Sequence, residues 1–178
     1  GDWRMTSVLK VTEIQDPTNS NSALTIDSTG RITTPARPAF RAGLTANYSH
    51  GSGGVDMSAN GTWGVLFDIG GNFNTSTGLF TAPVDGIYMF TGVWGTNSMT
   101  NTMTYASWEF TINGSRTNTF WHGHDLDGSS SYHGHANTGV YQLSASDTVG
   151  IFSEISQSVT INGNSSMTYS NFCGFLVG

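Results

Sequence analysis

Phe80-Thr81-Ala82-Pro83-Val84-Asp85-Gly86-Ile87-Tyr88-Met89-Phe90, taken with the closing Phe172-Cys173-Gly174-Phe175-Leu176-Val177-Gly178, decides the architecture of this chain. The first stretch reads as a strand end, a tight Pro83-Val84-Asp85-Gly86 turn and a new strand, because Pro presets a turn dihedral while Asp and Gly supply turn chemistry. Past the turn, period-two alternation puts Tyr88, Phe90 and Trp94 on one face and Ile87, Met89 and Val93 on the other. Both faces are apolar. One belongs to the core of its own domain; in an antiparallel protein the other is expected against another subunit, which puts Ile87, Met89 and Val93 on the expected interface between subunits.

Working outward, 178 residues are enough for one well-buried domain plus an appendage. Only 10% of residues are charged, Lys10 is the sole lysine, and 23 glycines stand among abundant Ser, Thr and Asn. Gly, Asn and Ser serve turns while Thr, Val, Phe and Tyr serve strands, and no run has helical apolar spacing with caps, so the chain reads as all-β. A net charge of -6 without basic clusters argues against nucleic acid and against an anionic membrane patch. The single cysteine, Cys173, excludes an intrachain disulfide framework. No stretch has the ~20 apolar residues of a membrane span, the N-terminus lacks signal-peptide regions, and Gly1 in place of Met is expected of a processed, tagged or excised piece.

Two zones separate by pattern. Residues 1–36 hold short β-like pieces at Val8–Ile14, Leu24–Ile26 and Arg31–Thr34, joined by Asp16-Pro17-Thr18-Asn19 and Asp27-Ser28-Thr29-Gly30 turns. They are too small to bury a core and are expected to form an intertwined β stalk with copies of themselves. From 37 to 178 the strand spacing is that of a jelly roll of about ten antiparallel strands: 38–45, 63–69, 78–82, 86–95, 103–113, 116–121, 136–143, 147–155 and 168–177, with Asn113-Gly114 closing one hairpin.

With the strands placed, residues from about 38 onward resemble the globular head of the C1q-like family, in the wider C1q and tumour necrosis factor group. The resemblance rests on Pro38-Ala39-Phe40, on Gly71-Asn72-Phe73-Asn74 before Thr77-Gly78-Leu79-Phe80, on the block Phe80 to Phe90, and on the ending Phe172 to Gly178. Three positions depart from the family pattern: Gly92 and Thr62 stand where aromatics are usual, and Ser146 where a Gly commonly precedes the Asp. The leader, through Leu9-Lys10-Val11, Ile14-Gln15-Asp16 and Ala23 to Ile32, is similar to segments preceding such heads in tail-fibre and virion-fibre proteins of marine bacteriophages. The resemblance implies a homotrimer, without the Gly-X-Y stalk of the animal members.

Counting strand directions from the leader puts the segments 46–62, 96–102, 122–135 and 156–167 at the end far from it and the short turns at the near end. Display loops belong at such an end. All five histidines, His50, His122, His124, His133 and His135, fall in those segments, with Tyr48, Trp121, Asp125, Asp127 and Tyr132 beside them as the expected receptor-binding set. His122-Gly123-His124 and His133-Gly134-His135 are the constellation able to carry chemistry, since His-x-His on an extended chain presents both imidazoles to one face. Three readings stay open there: solvated loop histidines that touch a receptor, a transition metal bound through His122, His124, His133 or His135, and a pH-sensitive contact.

Asp125-x-Asp127-Gly128 lacks the later ligands of a calcium loop, and Gly51-Ser52-Gly53-Gly54 lacks the Lys and helix of a phosphate loop. Cys173 reads as a small buried hydrophobe. No nucleophile elbow or paired carboxylate supports an enzyme. The expectation is therefore a non-enzymatic virion protein, a trimeric tail-fibre or head-fibre tip whose leader joins other virion proteins and whose far loops bind a host-surface glycan or protein. A capsid decoration trimer and a secreted C1q-like head of a cellular organism are the alternatives.

Overall fold

In a computed structural model of the chain, residues 9–18, 20–117 and 130–178 are described, and they form two units, 1–37 and 38–178. The leader unit is a three-stranded antiparallel meander, β1 (Glu13–Gln15), β2 (Ser22–Ile26) and β3 (Ile32–Thr33). Its turns are held by carboxylates: Asp16 accepts from the Thr18 amide, and Asp27 accepts from the amides of Thr29 and Arg31 and pairs with the Arg31 guanidinium at 2.6 Å. The Thr29 hydroxyl, the Arg31 amide and the Arg31 side chain hold the Asp27 carboxyl well below the usual carboxylate range. None of the described residues of this unit from 9 to 37 is buried.

The head is a sandwich of two antiparallel sheets. Its strands are β4 (Ala39–Leu44), β5 (Tyr48–His50), β6 (Gly53–Asp56), β7 (Trp63–Ile69), β8 (Phe73–Asn74), β9 (Leu79–Thr81) and β10 (Gly86–Met99). There follow β11 (Ala106–Ile112), β12 (Ser115–Arg116), β13 (Ser130–Leu143), β14 (Thr148–Ile155), β15 (Val159–Ile161) and β16 (Asn171–Leu176), with one short helix α1 (Met57–Asn60) capped by the Asp56 carboxylate. The first sheet is built on β10. One of its edges carries β13 along its whole length; the other carries β16 beside residues 88–93 and, in line with it, β15 beside 96–97. Beyond these lie β4 against β16, β5 against β15, and β7 against β4. The second sheet runs β12-β11-β14-β9-β8, with β6 also on β14.

Directions follow from these pairings. The end at which β4 starts is closed by three short turns, at 82–85, 113–114 and 144–147, that are tied to one another. The Ala145 amide donates to the Asp85 carboxylate, and the Asn113 amide side chain donates to Asp147 while accepting from the Thr148 amide. Asn113 and Gly114 have φ of 50° and 77°, the two left-handed residues of the hairpin turn their sequence predicts. Ser146 has φ 77°, which is why the resembling family prefers Gly before this Asp. Gly92 has no room for the usual aromatic, because Trp94 and Asn137 already fill the space a Cβ would enter.

The core changes character along its length. Near the start of β4 it is aromatic: Phe40 stacks on Phe73 and Phe80 and meets Phe172 edge-on, and Phe90 lies within 6 Å of Phe80, Phe110 and Phe172. In the middle Trp94 stacks on Trp108 at 4.9 Å, a contact worth about 1 kcal/mol beyond its burial. Asn137 links the two sheets there, accepting from Trp94 Nε1 and donating to the Trp108 carbonyl. Beyond it the core turns polar, with His135 near Thr96 Oγ1, and His50, Trp108 and Ser153 each keeping a buried polar atom without a hydrogen-bond partner among the described residues.

Two outcomes are expected. Ser146→Gly relieves a left-handed non-glycine residue on the surface and should stabilise the head by about 0.5 to 1 kcal/mol, read from denaturant unfolding. Burial holds the His50 imidazole, which is 1% exposed, below its ordinary value, opposed by the carbonyls of Gly51 and Ser153. The unfolded chain therefore takes up this proton first. Stability is full above about pH 6.5 and falls as pH drops below it until His50 protonates in the folded state. His50→Phe should flatten that slope, checked by comparing thermal midpoints of the two proteins from about pH 7.5 to about pH 4.5.

Candidate functional site

Two surfaces of the head stand out as candidates, and both lie on the first sheet. The alternation along β10 is realised: Tyr88, Phe90 and Trp94 are fully buried, Met89 is half-buried, and Ile87 and Val93 are 46% and 40% exposed on the opposite face. Cross-strand register extends this open face into rows. Val140, Met89, Phe175, Ala39 and Ile69 stand side by side across β13, β10, β16, β4 and β7. The next row runs Thr138, Thr91, Cys173, Arg41 and Phe67. Val140, Phe175, Phe67 and Ile69 are all exposed apolar side chains. Residues of this kind aligned on one sheet face make a surface that solvent does not suit.

Cys173 is a member of that face, half-buried beside Arg41. Burial pushes its thiol up and the Arg41 charge opposes the shift. The contribution of Val140, Phe175 and Ile69 was not picked out from sequence. Its signal is the presence of apolar residues on both parities of β13 and β16, as in β10.

The second surface is the far end, where β5, β15, the end of β10 and the start of β13 meet. The expected convergence of residues 46–62, 96–102 and 156–167 holds in their pairings, Val159 with His50 and Asn97 with Thr160. The expectation that His133 and His135 belong to a loop is corrected. β13 begins at Ser130, and His133 and His135 pair with Thr96 and Trp94 of a β10 that itself runs to Met99. Backbone pairing to a long neighbour satisfies a run whose Ser, His and Gly composition reads as a loop.

The alternation sends His133 and His135 to one face, as His-x-His spacing requires, but that face is the interior: His135 is 6% exposed and packs 6.1 Å from Trp108. His50 is likewise buried, with Nδ1 donating to the Gly51 carbonyl and the Tyr48 ring edge-on at 6.2 Å. These two are turned inward and are not displayed by this surface. Tyr132, the residue before His133, points the other way and is 73% exposed. It heads a polar row of Tyr132, Asn97, Thr160 and Ser49 on the open face. A depression of about 400 Å³ at this rim is lined by Ser49, Ser98, Ser158 and Thr160 over His50.

Trp121, His122, His124, Asp125 and Asp127 lie outside the described residues. Among the described residues no three His, Cys, Asp or Glu side chains come together to hold a metal, so His133 and His135 have no third such ligand there. No helix among them is long and apolar enough to cross a membrane. On the outer face of the second sheet, Arg116 grips the buried Glu109 (Nε to Oε2 3.0 Å), reaches Glu154 at 2.9 Å and lies 4.5 Å over the Phe152 ring. This charge cluster is fully paired and seals the sheet.

The family model for the C1q domain matches residues 39–177. Among solved structures, the chain is similar to mouse APRIL at pH 8.0 (TM-score 0.56, 13% identity, 79% of this chain and 99% of that one). It is also similar to the Eiger TNF of S. frugiperda (TM-score 0.56, 11% identity, 80% and 94%). The globular domain of the zebrafish complement 1qA protein matches with TM-score 0.49 and 19% identity over 79% and 98%. No curated protein sequence matches the chain. The two likenesses at 0.56 agree in fold with the observed sandwich, and the match over residues 39–177 makes this chain a member of the C1q domain family.

Proposed function

We propose that the protein is a non-enzymatic virion protein, a homotrimeric fibre head whose far end binds a host-surface receptor and whose leader joins it to other proteins of the particle. Domains of this family form homotrimers and are generally recognition or signalling proteins, typically extracellular. The observation that carries the reading is the division of labour between the ends of the sandwich. One end is sealed by three short, cross-tied turns; the other is assembled from sequence-distant segments that meet in a rim of exposed hydroxyl and aromatic side chains. A scaffold that keeps one end closed and varies the other is suited to display. The leader's resemblance to phage fibre segments supports the particle as the setting.

Trimer contact is assigned to the open face of β10, with Ile87, Met89 and Val93 joined by Val140, Phe175 and Ile69. Three such faces packed about one axis remove this apolar surface from water. Met89→Glu places a charge in the middle of that contact and should convert a trimer to a monomer in native mass spectrometry; a trimer of unchanged stability would remove β10 from the interface. The attachment role is tested on particles. Excess soluble head should compete with adsorption to host cells, and particles lacking the protein should adsorb poorly. Normal adsorption combined with loss of heat resistance would instead identify a capsid decoration trimer.

A further inference from the structure

We infer that the polar rim at the far end is a binding site for a neutral oligosaccharide lying across the strands, with Tyr132 as a stacking platform at one end of the row Tyr132, Asn97, Thr160 and Ser49, and with the depression lined by Ser49, Ser98, Ser158 and Thr160 as its hydrogen-bonding wall at the other. The inference rests on the reading of this end as the attachment surface and names the ligand class. The volume of the depression, about 400 Å³, is within the range of small-ligand sites. Three backbone segments distant in sequence supply the wall, and register sets Thr160 beside Ser49 and beside Asn97, which in turn is opposite Tyr132. An exposed aromatic ring at the head of a row that continues through an amide to hydroxyls suits an oligosaccharide, in which one sugar stacks its C–H face on the ring while the hydroxyls of the next exchange hydrogen bonds.

The wall is preorganised. Ser98 stands in the left-handed region, φ 65°, a conformation that costs free energy and is kept where the surroundings enforce it. The Gln157 side chain does so here: its amide donates to the Ser98 carbonyl, while its Oε1 accepts from the hydroxyls of Thr100 and Thr102. Asn97 is fixed in the same way, donating to Asn162 at 2.9 Å. Groups already held in place lose little entropy on binding.

Neutrality follows from charge. None of the residues lining the depression is charged. Among the described residues the cations are Lys10, Arg31 and Arg37 in the leader, Arg41 near the start of β4, and Arg116 bound to its carboxylates on the second sheet. Recognition of carboxylate, sulfate or phosphate groups on a glycan calls for Arg or Lys, and a chain of net charge -6 repels them. The apolar rows of the open face end before Gly95 and Gly134, so subunit contact through them leaves the polar row at the rim.

The test uses the full-length protein on an array of neutral, sialylated and sulfated oligosaccharides, with trimer mass measured for every variant. Binding is expected to neutral sugars, weakened about tenfold by Tyr132→Ala and by Ser49→Asp and retained by Tyr132→Phe, as stacking multiplied over three sites requires. Binding to no saccharide, to anionic sugars only, or to neutral sugars equally well in both weakening variants would overturn the inference. Adsorption measured in parallel separates it from the attachment reading. Particles that need the head for adsorption while the protein ignores sugars keep the attachment role and lose the saccharide. Sugar binding by a head that adsorption does not need keeps the saccharide and loses the attachment role.

Discussion

Strand β10 has four demands to meet at once, two edges and two faces, and the rest of the head is arranged around meeting them. Its edges are satisfied by β13 on one side and by the in-line pair β16 and β15 on the other. Its inward side chains, Tyr88, Phe90, Trp94 and Thr96, meet the second sheet and run from the aromatic half of the core into the polar half. Its outward side chains Ile87 and Val93 stay exposed among the described residues, and that open face is the one to which the proposed subunit contact is assigned. An interior strand carrying apolar residues on both parities is stable only in company.

The in-line pair beside β10 also gives one sheet two kinds of surface. β16 and β4 continue the apolar rows toward the sealed end; β15 and β5 take over the same edge near residue 96 and carry hydroxyls. The switch occurs without breaking β10 or β13, so the position of the polar rim relative to the apolar face is set by hydrogen-bond register and not by loop conformation.

Long strands were legible in the sequence because several alternations accumulate before a turn interrupts them. Residues 63–69 were read with their full extent, and Asn113-Gly114 and the Pro83 turn announced themselves by the backbone angles they allow. Pieces of two to four residues, β5, β6, β8 and β15, were not legible, since two residues cannot display a period. The His133 and His135 segment failed for a different reason. Its Ser, Gly and His content has low intrinsic strand preference, and only the partner strand, running as far as Met99, makes it extended. Tertiary pairing, absent from any local window, therefore decided which histidines face inward. The Ser146 and Gly92 departures were visible as exceptions to a pattern, and the backbone angle at one and the filled space at the other supply their causes.

The first and last strands of the head are neighbours, β4 and β16 being paired over residues 39–43 and 171–175, and both run along the axis joining the sealed end to the rim. β4 is gripped on its other edge by β7. When a ligand holds the rim and the chain is pulled from Pro38, the load on β4 therefore lies along the strand, and its hydrogen bonds to both neighbours are sheared together instead of being peeled one by one. Mechanical strength in this head is concentrated at the point where tension enters, a property that equilibrium stability does not measure.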